Sequence, residues 1–170
     1  MKTLPAAVEW LARALAVLGG LALLSVTGLT VASITGRVFT RQGLGPIPGD
    51  FELVEALTAF AVFAFLPWCQ LRRGHATVDV FTRLLPERAN RLIDLVCEIL
   101  MALVVVLIAW RLWYGTLDKM RYHETTFILQ FPLWWAFAAA WAAAAAGIVV
   151  SAYAVWLRLR EALAITEDAS

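Results

Sequence analysis

From Thr125 to Leu157 the chain runs for 33 residues without an Asp, Glu, Lys or Arg. A soluble helix keeps a charged or polar face toward water. A run this long with no charge on any face is suited to hydrocarbon. About 20 mostly apolar residues cross the roughly 30 Å of a bilayer core, so this segment spans a membrane with residues to spare. Three shorter charge-free runs precede it: Ala14–Gly36 (23 residues), Ala56–Leu71 (16) and Ile99–Trp110 (12). The first is a complete span. The middle two reach full length only if the acids at their starts lie at the interface, Glu52 and Glu55 for one, Asp94 and Glu98 for the other. Counted from there, helices over Phe51–Leu71 and Leu92–Trp113 have 21 and 22 residues, enough to cross at about 1.5 Å per residue. The expected fold is an all-α membrane protein. A single membrane domain over 1–170 would have spans near 12–36, 51–71, 92–113 and 127–157.

Composition removes the other classes. Hydrophobic residues make up 62% of the chain and charged residues 16%, against about 45–50% and 25% in soluble domains. Neither a soluble globule nor a disordered chain fits. A net charge of +1 supplies no basic field, so no nucleic-acid partner is expected. The start of the chain has Lys2 ahead of an apolar run, like a secretory signal. Glu9 and Arg13 interrupt that leader and the run exceeds the roughly 7–15 residues of a signal core, so a retained first helix is expected.

Four spans put both termini and the 72–91 connection on one side. That side holds Lys2, Arg13, Arg72, Arg73, Arg83, Arg88, Arg91, Arg158 and Arg160, nine cations against five on the other (Arg37, Arg41, Arg111, Lys119 and Arg121). The richer side faces the cytoplasm by the positive-inside rule. Seven of the eight tryptophans agree with this frame, since Trp favours the headgroup level. Trp10, Trp68 and Trp156 fall at one set of helix ends, and Trp110, Trp113, Trp134 and Trp135 at the other; only Trp141 lies within a span.

The loop from Arg37 to Asp50 contains Gly43, Gly45, Pro46, Pro48 and Gly49 and is turn-rich. Either Asp50 or Gly49 can cap the second helix. Between spans 2 and 3, Val78, Phe81, Leu84 and Leu85 recur at helical spacing among the polar Asp79, Thr82 and Arg83. That pattern predicts a short amphipathic helix over about 76–85 lying in the interface.

Few residues point to chemistry. Glu52 and Glu55 share a helix face, as do Asp94 and Glu98, and a carboxylate within a span is a candidate functional group. Each pair lies in the first turns of its helix, where the helix dipole favours acids. The pairs also enter from opposite sides. A structural or subunit-interface role is therefore favoured over a proton or cation relay. His75 and His123 fall on opposite sides and cannot share a metal. The spans contain no paired histidines for haem. Cys69 and Cys97 fall toward the reducing side, where packing is the expected role. The sequence has no nucleophile triad, zinc-protease helix, phosphate loop or dinucleotide motif, and neither catalysis nor a cofactor is expected. Arg72 and Arg73 suit lipid phosphates, and Asp79 can orient the interfacial helix through an ion pair. Small residues at intervals of four (Ala139, Ala143, Gly147, Ser151; Ala12, Ala16, Gly20; Gly28, Ala32, Gly36) suit either internal packing or a docking face for a membrane partner.

Four stretches carry a resemblance. The second span opens PGDFELVEAL (Pro48–Leu57) and ends with Leu66-Pro67. RRGHATVDVFTRLLPER follows from Arg72 to Arg88, and the last span is entered through ILQFPLWW, Ile128–Trp135. These resemble the small membrane subunit (Q, or DctQ type) of tripartite ATP-independent periplasmic transporters, the TRAP family. The Gly74-His75-Ala76-Thr77-Val78-Asp79 stretch is the most specific, with Ala76 standing where a bulkier apolar residue is usual. The resemblance implies a multi-pass subunit of the bacterial inner membrane, beside a large membrane subunit (M type) and a periplasmic substrate-binding protein. It implies that sodium and an organic acid bind in the large subunit, which moves as an elevator, while this subunit widens the static scaffold. Glu52, Glu55, Asp94 and Glu98 then become candidate partner or scaffold contacts. Arg72, Arg73, His75, Asp79, Trp68 and Trp156 would anchor the interfacial segment to lipid. Arg37, Arg41, Lys119 and Arg121, with Asp118 and Glu124, would face the binding protein. An independent four-helix ion or proton carrier using Glu52 or Glu55 is the competing reading. The small subunit of the tripartite tricarboxylate systems, similar in size, is a third.

Overall fold

The computed structural model describes residues 6–72 and 87–167. Four helices account for most of them: α1 (Ala6–Val38), α2 (Asp50–Leu71), α3 (Glu87–Arg121) and α4 (Leu133–Glu167). Each is long and apolar enough to cross a membrane. Among the described residues there is no β-strand, only an isolated bridge between Thr125 and Pro132. The amphipathic helix expected over 76–85 lies outside the described residues.

The helices outrun the apolar runs. At about 1.5 Å per residue, 33 residues in α1 and 35 each in α3 and α4 reach roughly 50 Å, well beyond a hydrocarbon core. Helix α3 continues to Arg121, two turns past the expected end at Trp113, because Gly115–Met120 contains no proline to stop it. Helix α4 starts at Leu133, not near 127. Pro132 is the last loop residue, a place where its missing N–H breaks no helical bond. Residues 127–132 belong to the preceding loop.

The helices form a row in the order α1, α2, α4, α3. Helix α1 packs on α2, α2 on α4, and α4 on α3. Of the two inner helices, α4 is the more buried and the richer in alanine. Ala140, Ala143, Ala144, Val150, Ser151 and Ala154 are all buried. Small side chains let backbones approach closely where lipid supplies no hydrophobic drive for association. Pro67 belongs to a buried stripe in α2 (Ala61, Ala64, Pro67, Gln70) and packs beside Gly147 of α4.

The seam of α1 is phased differently from the expected stripes. Its buried positions are Ala12, Gly19, Ala22 and Ser33, separated by multiples of about 3.5 residues, the period that keeps one face of a helix on its neighbour. Gly28 and Ala32 are exposed, and a Cβ at Gly20 or Gly28 would meet nothing. An interval of four drifts around a helix of 3.6 residues per turn, and in α1 the expected rows leave the interface. In α4, Ala143, Gly147 and Ser151 are buried and Ala139 is exposed. The hydroxyls of Ser25, Thr27, Thr30 and Thr35 bond to carbonyls four residues back. These polar groups can therefore lie on the exposed face of a span without an unmet donor.

Candidate functional site

The polar side chains collect at the two ends of the row. At the end holding the chain termini, Gln70 is 3% exposed and joins three helices. Its amide nitrogen donates to Glu98 Oε1 of α3 at 2.8 Å, and its oxygen lies 2.6 Å from the Ser151 hydroxyl of α4. The same hydroxyl is 2.8 Å from the Gly147 carbonyl, so its one proton has two acceptors to choose between. Arg158 of α4 faces the other oxygen of Glu98 at 3.9 Å, and both side chains are largely buried. A buried carboxylate needs this combination of a counter-charge and a hydrogen-bond donor. At the same end Arg72 bonds Glu9 of α1 at 3.0 Å and lies 4.7 Å above the half-buried ring of Trp68. Arg13 approaches that ring at 5.9 Å and Glu9 at 3.8 Å. Arg160 stacks 4.0 Å over the partly exposed Trp156, within cation–π range.

At the loop end, Gly49 is the N-cap of α2 in a left-handed conformation, φ 74°. Asp50 accepts the Phe51 N–H at 2.7 Å, accepts a hydrogen bond from the Ser33 hydroxyl of α1, and faces Arg37 at 3.5 Å. Glu52 holds the loop between α3 and α4. Its two oxygens accept the backbone N–H groups of Ile128 (2.6 Å) and Leu129 (3.0 Å). That loop closes on itself through Thr126 N–H to the Phe131 carbonyl at 2.9 Å and Leu133 N–H to the Glu124 carbonyl at 2.9 Å. His123 and Gln130 take left-handed φ values of 50° and 53° to make its turns. Leu129 packs so close to Gly49 that a Cβ there would lie 2.4 Å from its Cγ. The result is a fixed loop whose tip residue, Phe127, is 93% exposed.

In each acidic pair one carboxylate faces inward and one outward. Glu52 and Glu98 bind neighbouring elements. Glu55 and Asp94 are exposed and have no hydrogen bond or ion pair among the described residues. The two pairs lie at opposite ends of the helices. Of the four cations expected to face a binding protein, Arg37 pairs with Asp50 and Lys119 with Glu124 at 2.5 Å, while Arg41 and Arg121 are exposed. Trp141 stacks on Trp113 with ring centroids 4.6 Å apart. It thus shares the level of an α3 tryptophan. Cys69 and Cys97 are free thiols. Arg73, His75 and Asp79 lie outside the described residues.

Sequence reading did not single out Gln70, Ser33, Glu9 or Arg158 as a tie between helices. Gln70 carried a usable signal, being an uncharged polar side chain in the last turn of an otherwise apolar span. Its partners Glu98 and Ser151 are 28 and 81 residues away, and no local pattern pairs them.

Four helices long and apolar enough to span, with polar ties at both ends, define a multi-pass membrane protein. The family model described as the DctQ component of tripartite ATP-independent periplasmic transporters matches residues 30–161. The chain belongs to that family and is a component of a TRAP transporter. Compared with curated proteins and with solved structures, it gives no match.

Proposed function

We propose that this chain is the non-catalytic scaffold subunit of a sodium-coupled secondary transporter importing an organic acid, such as a dicarboxylate or other carboxylate. It works beside a large membrane subunit and a periplasmic substrate-binding protein. The observation that carries this reading is the use made of the polar side chains. Gln70, Glu98, Ser151, Asp50 and Glu52 are all engaged in tying one element of this chain to another. Such ties stiffen a row of helices, and a stiff, wide row resists tilting while a partner's transport domain slides past it. Sodium and substrate sites belong to the large subunit in this reading, and this chain carries no cofactor. The excess of basic residues beside the termini supports a cytoplasmic location for both. On that orientation Arg72, Arg73, His75, Asp79, Trp68 and Trp156 set the height of the assembly in lipid. Arg37, Arg41, Lys119 and Arg121 then face the binding protein.

Reconstitution tests the proposal. Proteoliposomes with this chain, the large subunit and the binding protein should take up the organic acid in a sodium gradient, and vesicles with this chain alone should not. Organic-acid or cation flux through this chain alone would overturn the scaffold reading. Glu55→Gln sharpens the contrast, since a carrier would lose transport and a scaffold would lose at most assembly.

A further inference from the structure

Helices α2 and α3 flank α4, and the space between them is uneven. At the termini end they are bridged by the Gln70–Glu98 hydrogen bond, with Pro67 and Val105 both within about 4 Å of a Cβ placed on Gly147. Toward the loop end they part, and a cavity of about 200 Å³ opens between them. Glu55, Ala59 and Phe63 of α2 form one wall, Leu112 of α3 the other, and Phe137 and Ala140 of α4 the floor. Thr126 and Phe131 of the loop close its outer end. The lining is apolar apart from the acids and Thr126. Glu55 stands at the wall about 7.5 Å along α2 from its first residue, exposed and without a partner in this chain among the described residues. A carboxylate without a counter-charge beside an apolar groove near the end of a span is a candidate for a cationic partner. Glu52 borders the same space, and the groups that donate to it, the Ile128 and Leu129 amides and the Thr126 hydroxyl, are neutral, so the mouth is doubly acidic. The Arg37 and Lys119 side chains at this end are turned to Asp50 and Glu124.

We propose that this groove receives a membrane helix of the large subunit, and that Glu55 pairs with a Lys or Arg near that helix's outer end. The apolar walls call for an occupant that is itself apolar. The acidic mouth calls for one cation level with it. The small residues of the lining, Ala56, Ala59, Ala136 and Ala140, admit close approach of a backbone beside them. A helix whose basic side chain reaches up toward the interface meets all three requirements. The inference rests on the scaffold reading and names the surface through which it operates.

The test uses the full chain co-expressed with the large subunit, with a photo-crosslinking residue at position 59. Wild-type chain should co-purify with the large subunit, and the position-59 probe should crosslink to it within about one helical turn of a Lys or Arg. Glu55→Lys should lower recovery of the complex at least tenfold while the variant keeps wild-type helicity and elution volume. Exchanging the charges, with Glu55→Lys here and an acid at the crosslinked cation, should restore it. An intact complex whose probe crosslinks only to lipid, to a second copy of this chain, or to nothing would overturn the groove assignment and leave the scaffold reading standing. Undiminished recovery of Glu55→Lys would do the same. Failure of the wild-type chain to co-purify would defeat both.

Discussion

Replacing Gln70 with leucine isolates what a buried polar tie contributes to this row of helices. Leucine fills similar space but offers Glu98 no donor and Ser151 no acceptor. The bond to a carboxylate is the stronger loss, about 1.5–3 kcal/mol for a hydrogen bond to a charged group. The low end applies, because Arg158 stays 3.9 Å from Glu98 and retains part of the compensation. The second loss is smaller. Ser151 turns its proton to the Gly147 carbonyl already 2.8 Å away, and interhelical hydrogen bonds in membranes average about 0.6 kcal/mol. The expected cost of Gln70→Leu is about 2 kcal/mol, roughly a 30-fold change in the folded-to-unfolded ratio. Ser151→Ala should cost about 0.6 kcal/mol. Reversible unfolding of the purified chain in mixed micelles, followed by helical circular dichroism across a denaturing-detergent titration, reads both values. The double variant should show coupling, since the residues touch. If Gln70→Leu lies within about 0.5 kcal/mol of wild type, or costs less than Ser151→Ala, the tie is not what holds α2, α3 and α4 together.

Three further outcomes can be checked with the same protein. Gly36→Ala would place a Cβ 2.2 Å from the Gly45 carbonyl oxygen, so the 39–49 loop must move and the unfolding midpoint should fall. Gly28→Ala meets nothing and should leave stability unchanged or raise it by the roughly 0.5–1 kcal/mol of helix propensity gained; equal effects at both sites would contradict the close approach of Gly36 to Gly45. Glu52→Ala removes the acceptor of the Ile128 and Leu129 amides, and hydrogen exchange at those two amides should quicken while α1 amides keep their rates. Glu9→Gln weakens an ion pair in which Arg72 is half exposed, so stability should change by less than about 1 kcal/mol; a larger loss would mean that the α1–α2 contact depends on that pair.

The acidic pairs show how far the sequence reading reached. Spacing placed Glu52 beside Glu55 and Asp94 beside Glu98 near helix starts. It could not say which member turns inward, because residues three or four apart differ by only about 40–60° around a helix. The direction of the neighbouring helix decides between them. For Glu98 that neighbour supplies Gln70 and Arg158. For Glu52 it is the loop before α4. The small-residue stripe of α4 packs inward at Ala143, Gly147 and Ser151, whereas that of α1 leaves the seam for a related reason. Intervals of four select residues that look aligned over one turn, while contact over about six turns follows a period near 3.5, which picks Gly19 over Gly20 and Ser33 over Ala32.

Sequence alone determined that this chain has four helices long and apolar enough to cross a membrane and that it resembles the TRAP small-subunit family. Those properties are sums over residues, since transfer into hydrocarbon is decided largely by each side chain's own polarity and by the length of a run. Only the tertiary structure decided that the helices stand in the order α1, α2, α4, α3, that Gln70 joins three of them, and that Glu55 is left facing outward beside an apolar groove. Those depend on which faces meet, and with lipid as apolar as the side chains, the choice falls to close packing of small residues and to a few polar contacts between distant parts of the chain.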